Sequence, residues 1–271
     1  MRRGRRNARW AAWIGVLGAI VLLVGLVGPG PGTASASPRS TTKREQATRL
    51  AAARKIPAPP RVAPVREVDL RIVVTPVGGT DLGVFDVPGA PAPSQVLPAF
   101  NELGSPLVLL AVERLRDWYR VLLPTRPNGS SAWVPVSAVV ATAPVYAAQL
   151  SLSALDLTVV RISDGAVVMT SAIGIGKPAS PTPTGLFFVR DHFPTDGAPD
   201  HPYGPFAFGL SGHSDVHMRL GTGDGRIAIH GTSQPASIGA AMSNGCPHVA
   251  NDVVLALIPY LPLGTPVTIN P

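Results

Sequence analysis

Short apolar runs separated by turn residues dominate the chain after residue 67. Four such runs precede residue 145, and Gly, Pro and Asn fill the gaps between them; they are residues 70–74, 106–112, 118–123 and 132–136. Runs of this length bounded by turn residues predict β-strands, and a succession of them predicts a small barrel. The pattern therefore predicts a β module over residues 67–145.

Residues 146–271 have a similar pattern with clearer alternation. Apolar residues alternate with polar ones over 150–161, and Ser163-Asp164-Gly165 then separates this run from residues 167–173, which is typical of a hairpin. Further strands are predicted over 185–189, 226–229 and 267–269. Asn251 is predicted to N-cap a helix over 252–258 that Pro259 ends. The expected fold is mainly β, with one or two short helices in this second unit.

The first 36 residues have a different composition. Five arginines lie between Arg2 and Arg9, residues 11–27 carry no charge, and Ala34-Ser35-Ala36 follows. A basic start, an apolar stretch and an Ala-x-Ala site predict a secretory signal peptide, or a membrane anchor if it is not cleaved. Because the arginines precede the apolar run, the rest of the chain is expected outside the cytoplasm, in the cell envelope. Residues 37–66 are rich in Pro, Ala, Arg, Ser and Thr, which predicts a flexible linker.

The charge is unevenly distributed. Residues 1–66 hold 13 Lys and Arg and one Glu, a net charge of +12, whereas residues 67–271 hold 10 Lys and Arg and 15 Asp and Glu, a net charge of −5. A nucleic-acid-binding domain would carry its basic patch on the folded part of the chain. This distribution therefore argues against nucleic acid as a partner.

The chain has a single cysteine, Cys246, which is either a buried apolar side chain or a nucleophile. His230 precedes it by 16 residues, and an imidazole that reaches the thiol would take its proton and, as imidazolium, lower its pKa. The carbonyl of Gly231 is a candidate acceptor that would fix the tautomer of the ring. Gly245 allows a tight turn in which the amides of Asn244, Gly245 and Cys246 are expected to converge on a developing oxyanion.

Two segments carry a family resemblance: His230-Gly231-Thr232, and Ser243-Asn244-Gly245-Cys246. With Thr182-Pro183-Thr184-Gly185-Leu186-Phe187 upstream, and with Tyr203-Gly204, residues 146–271 resemble the L,D-transpeptidase catalytic (YkuD-like) family. The resemblance implies that Cys246 attacks the third residue of a peptidoglycan tetrapeptide, releases D-Ala and transfers the acyl group to the amine of a second stem peptide as a 3→3 cross-link. It also implies His230 as base, Ser243 as support of the site loop and inhibition by carbapenem β-lactams.

Other features extend or depart from this resemblance. Pro247-His248 stands where the family has a hydrophobic residue and Arg or Asn, so His248, with Thr232 and Tyr203, is a candidate for substrate binding. Asp117-Trp118-Tyr119-Arg120-Val121 and Ala132-Trp133-Val134 make residues 67–145 similar to bacterial SH3-like wall-associated modules.

Neither a cofactor nor a metal is expected. His213 and His217 have a spacing seen in zinc sites, but the glycines around them disfavour a helix that would place both on one face. Two alternatives to the transpeptidase stay open. One is an L,D-carboxypeptidase, in which water replaces the acceptor amine, and the other is a non-catalytic wall-binding protein.

Overall fold

The computed structural model describes residues 66–198, 200–219 and 223–271. The predicted signal or anchor segment, residues 1–36, and the predicted linker up to residue 65 lie outside the described residues. In the part of the chain that is described, no helix is long and apolar enough to cross a membrane.

The amino-terminal part of the described chain consists of a sheet and a small hairpin. Its strands are β1 (Arg66–Pro76), β2 (Leu82–Val84), β3 (Gln95–Leu97), β4 (Leu109–Leu115), β5 (Trp118–Leu122), β6 (Ser131–Pro135) and β7 (Val139–Thr142). Five of them form an antiparallel sheet in the order β6-β5-β4-β1-β7, and β2 pairs with β3. We call residues 66–142 the amino-terminal sheet unit; its relation to SH3-like modules stays a prediction.

The predicted strands of this unit all coincide with observed ones, but β4 begins three residues later than predicted. Pro106 forms only an isolated bridge with Phe100, and regular pairing starts at Leu109. Proline has no amide hydrogen to donate to a neighbouring strand, which explains the shorter strand.

The carboxy-terminal part is organised around a larger sheet. Its elements are β8 (Tyr146–Ser151), β9 (Asp156–Arg161), β10 (Val167–Ala172), β11 (Ile175–Gly176), β12 (Gly185–Pro194), β13 (Phe206–His213), β14 (Arg226–His230), β15 (Ala241–Ser243), the helix α1 (Asn251–Ala256) and β16 (Pro266–Asn270). Seven strands pair in the order β10-β9-β8-β16-β12-β13-β14, and β11 pairs with β15. The mainly β prediction with few helices is confirmed.

Sequence analysis missed β13, the strand with the most buried sequence. All eight of its residues are buried, so the strand lacks the alternation by which half-buried strands are recognised. Its glycines are needed for space: a Cβ on Gly209 would collide with the Asp191 carboxylate, and one on Gly212 would collide with the ring of Phe187. The central strand next to the candidate site therefore has an apolar and glycine-rich sequence that resembles a loop.

The prediction that Asn251 caps the helix is wrong. Asn251 is the first residue of α1, the N-cap residue is Ala250, and no side chain caps the helix. The Asn251 side chain turns elsewhere, and its Oδ1 accepts a 2.7 Å hydrogen bond from the amide of Thr232. A side-chain acceptor committed to this loop cannot also bind the first amides of the helix.

Two hydrophobic clusters hold the described structure together, and a fully buried side chain of the carboxy-terminal part belongs to the amino-terminal cluster. The larger cluster lies in the carboxy-terminal sheet, and the other lies in the amino-terminal sheet unit. Phe188 on β12 is fully buried, yet it packs in the amino-terminal cluster. Gly264 adds a second contact, because its missing Cβ leaves room for the side chain of Val73 on β1. The two parts therefore share core residues.

This shared core predicts the effect of truncating Phe188. Phe188→Ala should lower the free energy of unfolding by roughly 3–5 kcal/mol, the usual cost of deleting a buried aromatic ring. Phe193→Ala is the matched control, because Phe193 lies on the same strand with 39% of its surface exposed. Urea unfolding followed by tryptophan fluorescence measures both variants. Equal losses for the two would contradict the shared core.

Candidate active site

A cavity of about 310 Å³ brings together most of the residues that sequence analysis selected. Among its lining residues are Tyr203, His230, Thr232, Ser243, Asn244, Cys246 and His248. Gly231 and Gly245 are not among them, and both make their contacts in the site through backbone atoms. Cys246 is half-buried and lines the cavity, whereas His230 is 3% exposed, so its imidazole is largely enclosed.

Backbone pairing between two distant segments closes the sequence gap between His230 and Cys246. The amide of His230 donates to the carbonyl of Pro247 at 3.2 Å, and the amide of Val249 donates to the carbonyl of His230 at 2.9 Å. These bonds form a parallel bridge between His230, at the end of β14, and His248. The cysteine precedes the paired segment directly and is therefore held at the end of β14.

The hydrogen bond of His230 defines its tautomer. Nδ1 lies 2.5 Å from the carbonyl oxygen of Gly231, and a carbonyl oxygen only accepts hydrogen bonds. Nδ1 therefore carries the hydrogen, and in the neutral ring Nε2 is the basic nitrogen. The structure thus contains the Gly231 contact expected from the sequence, and it leaves His230 ready to accept a proton.

The thiol and the imidazole are both neutral near pH 7. Burial, followed by the nearby His248 and His201, lowers the pKa of His230 to about 3, although the Gly231 hydrogen bond acts in the opposite direction. Burial raises the pKa of Cys246 to about 11, against a hydrogen bond with the backbone of Ala228. The expectation that an imidazolium lowers the thiol pKa is therefore wrong for the resting site, because burial disfavours both charges.

The side chains of His230 and Cys246 share a cavity without being joined. The hydrogen bonds of the described residues include none between the sulfur and the imidazole, and the thiol contacts the backbone of Ala228 instead. Proton transfer from Sγ to Nε2 therefore needs the thiol to leave the Ala228 backbone and approach the ring. Catalytic hydrogen bonds are often long in the free enzyme and tighten only in the complex with substrate.

Ser243 organises the turn that carries the cysteine. Its Oγ donates to the carbonyl of Cys246 at 2.7 Å and accepts from the amide of Gly245 at 3.1 Å. Gly245 has φ +118°, a conformation that side-chain-bearing residues rarely adopt. The expected convergence of three amides is corrected here, because the Gly245 amide is occupied by Ser243. The amides of Asn244 and Cys246 remain as candidate oxyanion donors.

Aromatic rings surround the imidazole on two sides. Tyr203 packs edge-on against His230 with ring centroids 4.7 Å apart, and His248 packs on it at 4.6 Å. Nδ1 of His248 contacts Oγ of Ser237 at 3.0 Å. Burial lowers the pKa of His248, so at neutral pH this side chain acts as an uncharged hydrogen-bonding group. It therefore does not replace the positive charge of an arginine at this position.

Asn251 is a site residue that sequence analysis assigned to another role. Its Oδ1 binds the amide of Thr232, and a Cβ on Gly204 or Gly231 would collide with that oxygen. The side chain therefore fixes the loop that follows His230 and carries Thr232 into the cavity wall. In the sequence, this role of Asn251 could have been suspected only from Gly204 and Gly231. Both glycines leave room for the Asn251 Oδ1 atom.

A second cavity, of about 460 Å³, shares two lining residues with the first. Cys246 and Tyr203 line both cavities. We call the cavity that contains His230 the imidazole chamber and the other the charged chamber. Four charged residues line the charged chamber: Glu102, Asp191, Asp224 and Arg226. Cys246 therefore lies between two cavities, only one of which contains the imidazole.

The two histidines considered for zinc have other surroundings. His213 lies on β13 with Nε2 3.2 Å from the Asp224 carboxylate. Among the described residues, no group of three or more His, Cys, Asp or Glu side chains is arranged to hold a metal ion.

Comparison with known proteins identifies the carboxy-terminal part of the chain. Residues 146–269 match the family described as the L,D-transpeptidase catalytic domain, YkuD. The protein YkuD of Bacillus subtilis, whose name assigns it provisionally to the L,D-transpeptidases, is 34% identical over 125 residues, which cover 46% of this chain and 66% of that protein. YqjB of the same organism, named in the same way, is 36% identical over 119 residues, which cover 40% of this chain and 63% of that protein.

The chain thus spans just under two thirds of the length of these two relatives. Among solved structures, L,D-transpeptidase 3 from Mycobacterium tuberculosis, in complex with a faropenem-derived adduct, has a TM-score of 0.40 and 16% identity, with coverage of 78% of this chain and 96% of that chain. The family match and the motifs around Cys246 lie in the same segment. Residues 146–269 of this chain therefore match the family of L,D-transpeptidase catalytic domains.

Proposed function

We propose that this protein is an exported L,D-transpeptidase that forms 3→3 cross-links in peptidoglycan through a thioester on Cys246. Residues 1–36 serve as its export signal or membrane anchor, and its place of action is the cell envelope. The observation that carries the proposal is the shared cavity of Cys246 and His230, with Nδ1 of His230 bonded to Gly231 so that Nε2 is basic.

The first half-reaction acylates the enzyme. Sγ of Cys246 attacks the carbonyl carbon of the third residue of a tetrapeptide stem, and its proton moves to Nε2 of His230. The tetrahedral intermediate collapses, the bond to the nitrogen of D-Ala breaks, and this nitrogen takes the proton from His230. The products are a thioester on Cys246 and free D-Ala. Because both groups start neutral, the proton moves during attack rather than before it.

The second half-reaction transfers the acyl group. An amine of a second stem peptide attacks the thioester carbonyl and gives a proton to His230, while the carbon–sulfur bond breaks. The thiolate that leaves takes the proton back from His230, which restores the resting pair. Water in place of the amine would give an L,D-carboxypeptidase, and the products of the reaction distinguish the two outcomes.

The position of His230 assigns the two chambers. The departing amine receives its proton from His230 and the incoming amine gives its proton to the same ring, so both amines approach from the imidazole chamber. The acyl part of the donor then extends into the charged chamber on the other side of the sulfur. The amides of Asn244 and Cys246 are the proposed donors to the oxyanion.

Acylation provides the direct test of the proposed nucleophile and base. Incubation with a tetrapeptide stem or with a carbapenem should add one acyl group to the wild-type protein, as measured by intact mass. Cys246→Ala should show no adduct, because the attacking sulfur is absent. His230→Gln should acylate roughly a hundred- to ten-thousand-fold more slowly, the usual cost of losing a positioned base. An adduct on Cys246→Ala would refute the assignment.

The pH dependence of thiol alkylation tests the neutral pair. Because the pKa of the Cys246 thiol is raised to about 11, its thiolate fraction should increase as pH rises through 9 and toward that value. The rate of alkylation by iodoacetamide should therefore climb steadily from pH 6 to pH 10. His230→Gln should follow the same profile. A plateau near neutral pH that disappears in His230→Gln would instead show a preformed thiolate–imidazolium pair.

A further inference from the structure

One turn of the amino-terminal sheet unit is hydrogen-bonded to the connection between β13 and β14. Arg126, in the connection between β5 and β6, donates from Nη1 to the carbonyl of Ser214 at 2.6 Å. Its Nη2 donates to the carbonyls of His217 and Asp224, at 2.8 and 3.2 Å. One guanidinium thus joins both ends of the connection.

A second side chain in the same turn adds further hydrogen bonds to this connection. Nδ2 of Asn128 donates to the carbonyl of His213 at 2.8 Å, and its Oδ1 accepts from the amide of His213 at 2.8 Å. Nδ2 also lies 3.2 Å from Oδ1 of Asp215. The Asn128 side chain therefore pairs with both backbone groups of His213, as a neighbouring strand would, next to the carbonyls that Arg126 binds.

The backbone that Arg126 binds continues into the wall of the charged chamber. Gly223 and Asp224 line that chamber together with Cys246, and Arg226 follows on β14. Gly225 has φ +79°, and a Cβ there would collide with the carbonyl of His217, close to the Arg126 guanidinium. The contacts leave no spare volume at this point, so the position of Asp224 depends on the position of Arg126.

The amino-terminal sheet unit also supplies part of the wall directly. Glu102 lines the charged chamber and pairs with Arg190 through two hydrogen bonds, of 2.9 and 2.8 Å. The same carboxylate lies 2.8 Å from Nη1 of Arg226. Neither Arg126 nor Glu102 belongs to the matched segment 146–269, yet both determine how the charged chamber is built.

We propose that Arg126 is a positioning residue for the acyl donor: it fixes the backbone of Ser214, His217 and Asp224 and thereby shapes the charged chamber beside Cys246. The assignment rests on the proposed function, in which that chamber holds the acyl part of the tetrapeptide. The amino-terminal sheet unit is then part of the active site and more than a spacer.

The test compares a large donor with a small neutral reagent on the same thiol. Arg126→Met keeps the length of the side chain and removes its hydrogen bonds to the three carbonyls. The second-order rate constant for acylation by a tetrapeptide stem should fall roughly ten- to a hundred-fold, as expected for a displaced binding wall. The loss should come mainly from a higher half-saturating donor concentration. Alkylation by iodoacetamide, which is small enough to reach the thiol through the imidazole chamber, should stay within about two-fold of wild type.

Two further variants make the result specific. Arg114→Met is the matched control, because the Arg114 side chain hydrogen-bonds only within its own unit, to the carbonyl of Arg116; it should acylate like wild type. Arg126→Lys, which keeps the charge and restores at most part of the contacts, should fall between Arg126→Met and wild type. Hydrogen exchange of the amides of residues 214–219 and 223–225 should be faster in Arg126→Met.

Each contrary result has its own meaning. Unchanged peptide acylation in Arg126→Met would overturn the positioning role. Parallel losses of peptide acylation and alkylation would also overturn it, since they would show that Arg126 merely supports the fold around the thiol. A wild-type protein that is alkylated but never acylated by the tetrapeptide would refute the proposed function itself, and the assignment of Arg126 with it.

Discussion

The backbone bridge between the end of β14 and the segment after Cys246 is the contact on which the site depends. It places a histidine and a cysteine that are 16 residues apart in the chain at the border of one cavity. The turn between them is then constrained by Ser243, whose hydroxyl binds both the Cys246 carbonyl and the Gly245 amide. The site is thus built mainly from backbone hydrogen bonds, which a rigid sheet supplies at little conformational cost.

Burial explains why Cys246 and His230 do not form a thiolate–imidazolium ion pair at rest. An imidazolium and a thiolate would both have to exist in a poorly solvated place, and no carboxylate of the described residues acts on the pKa of His230 to offset the cost. The Gly231 carbonyl orients the ring without neutralising a positive charge. A neutral thiol is also a poor target for alkylating and oxidising agents, because the thiolate is the reactive form. The single cysteine of the chain is in this way protected until a substrate carbonyl arrives.

The site was easier to predict from the sequence than the strands that position it. His230, Cys246 and the Gly231 carbonyl were found because their chemistry requires these residue types close to one another. β13 was missed because a fully buried strand with glycines at Gly209 and Gly212 has no alternation. Asn251 was assigned to a helix N-cap, since sequence cannot show that its oxygen is used by a loop 19 residues earlier. Arg126 binds carbonyls that lie 88 to 98 residues away in the chain, and no local sequence pattern predicts such contacts.

The proposed chemistry depends on the protonation state of the His230 imidazole. Nitrogen-15 NMR of histidine-labelled protein at pH 7, with His230 assigned by comparison with His230→Gln, measures that state directly. The account predicts a neutral imidazole with hydrogen on Nδ1 and none on Nε2. Protonation of both nitrogens, or of Nε2 alone, would contradict it, because His230 would then have no basic nitrogen to receive the proton of the thiol.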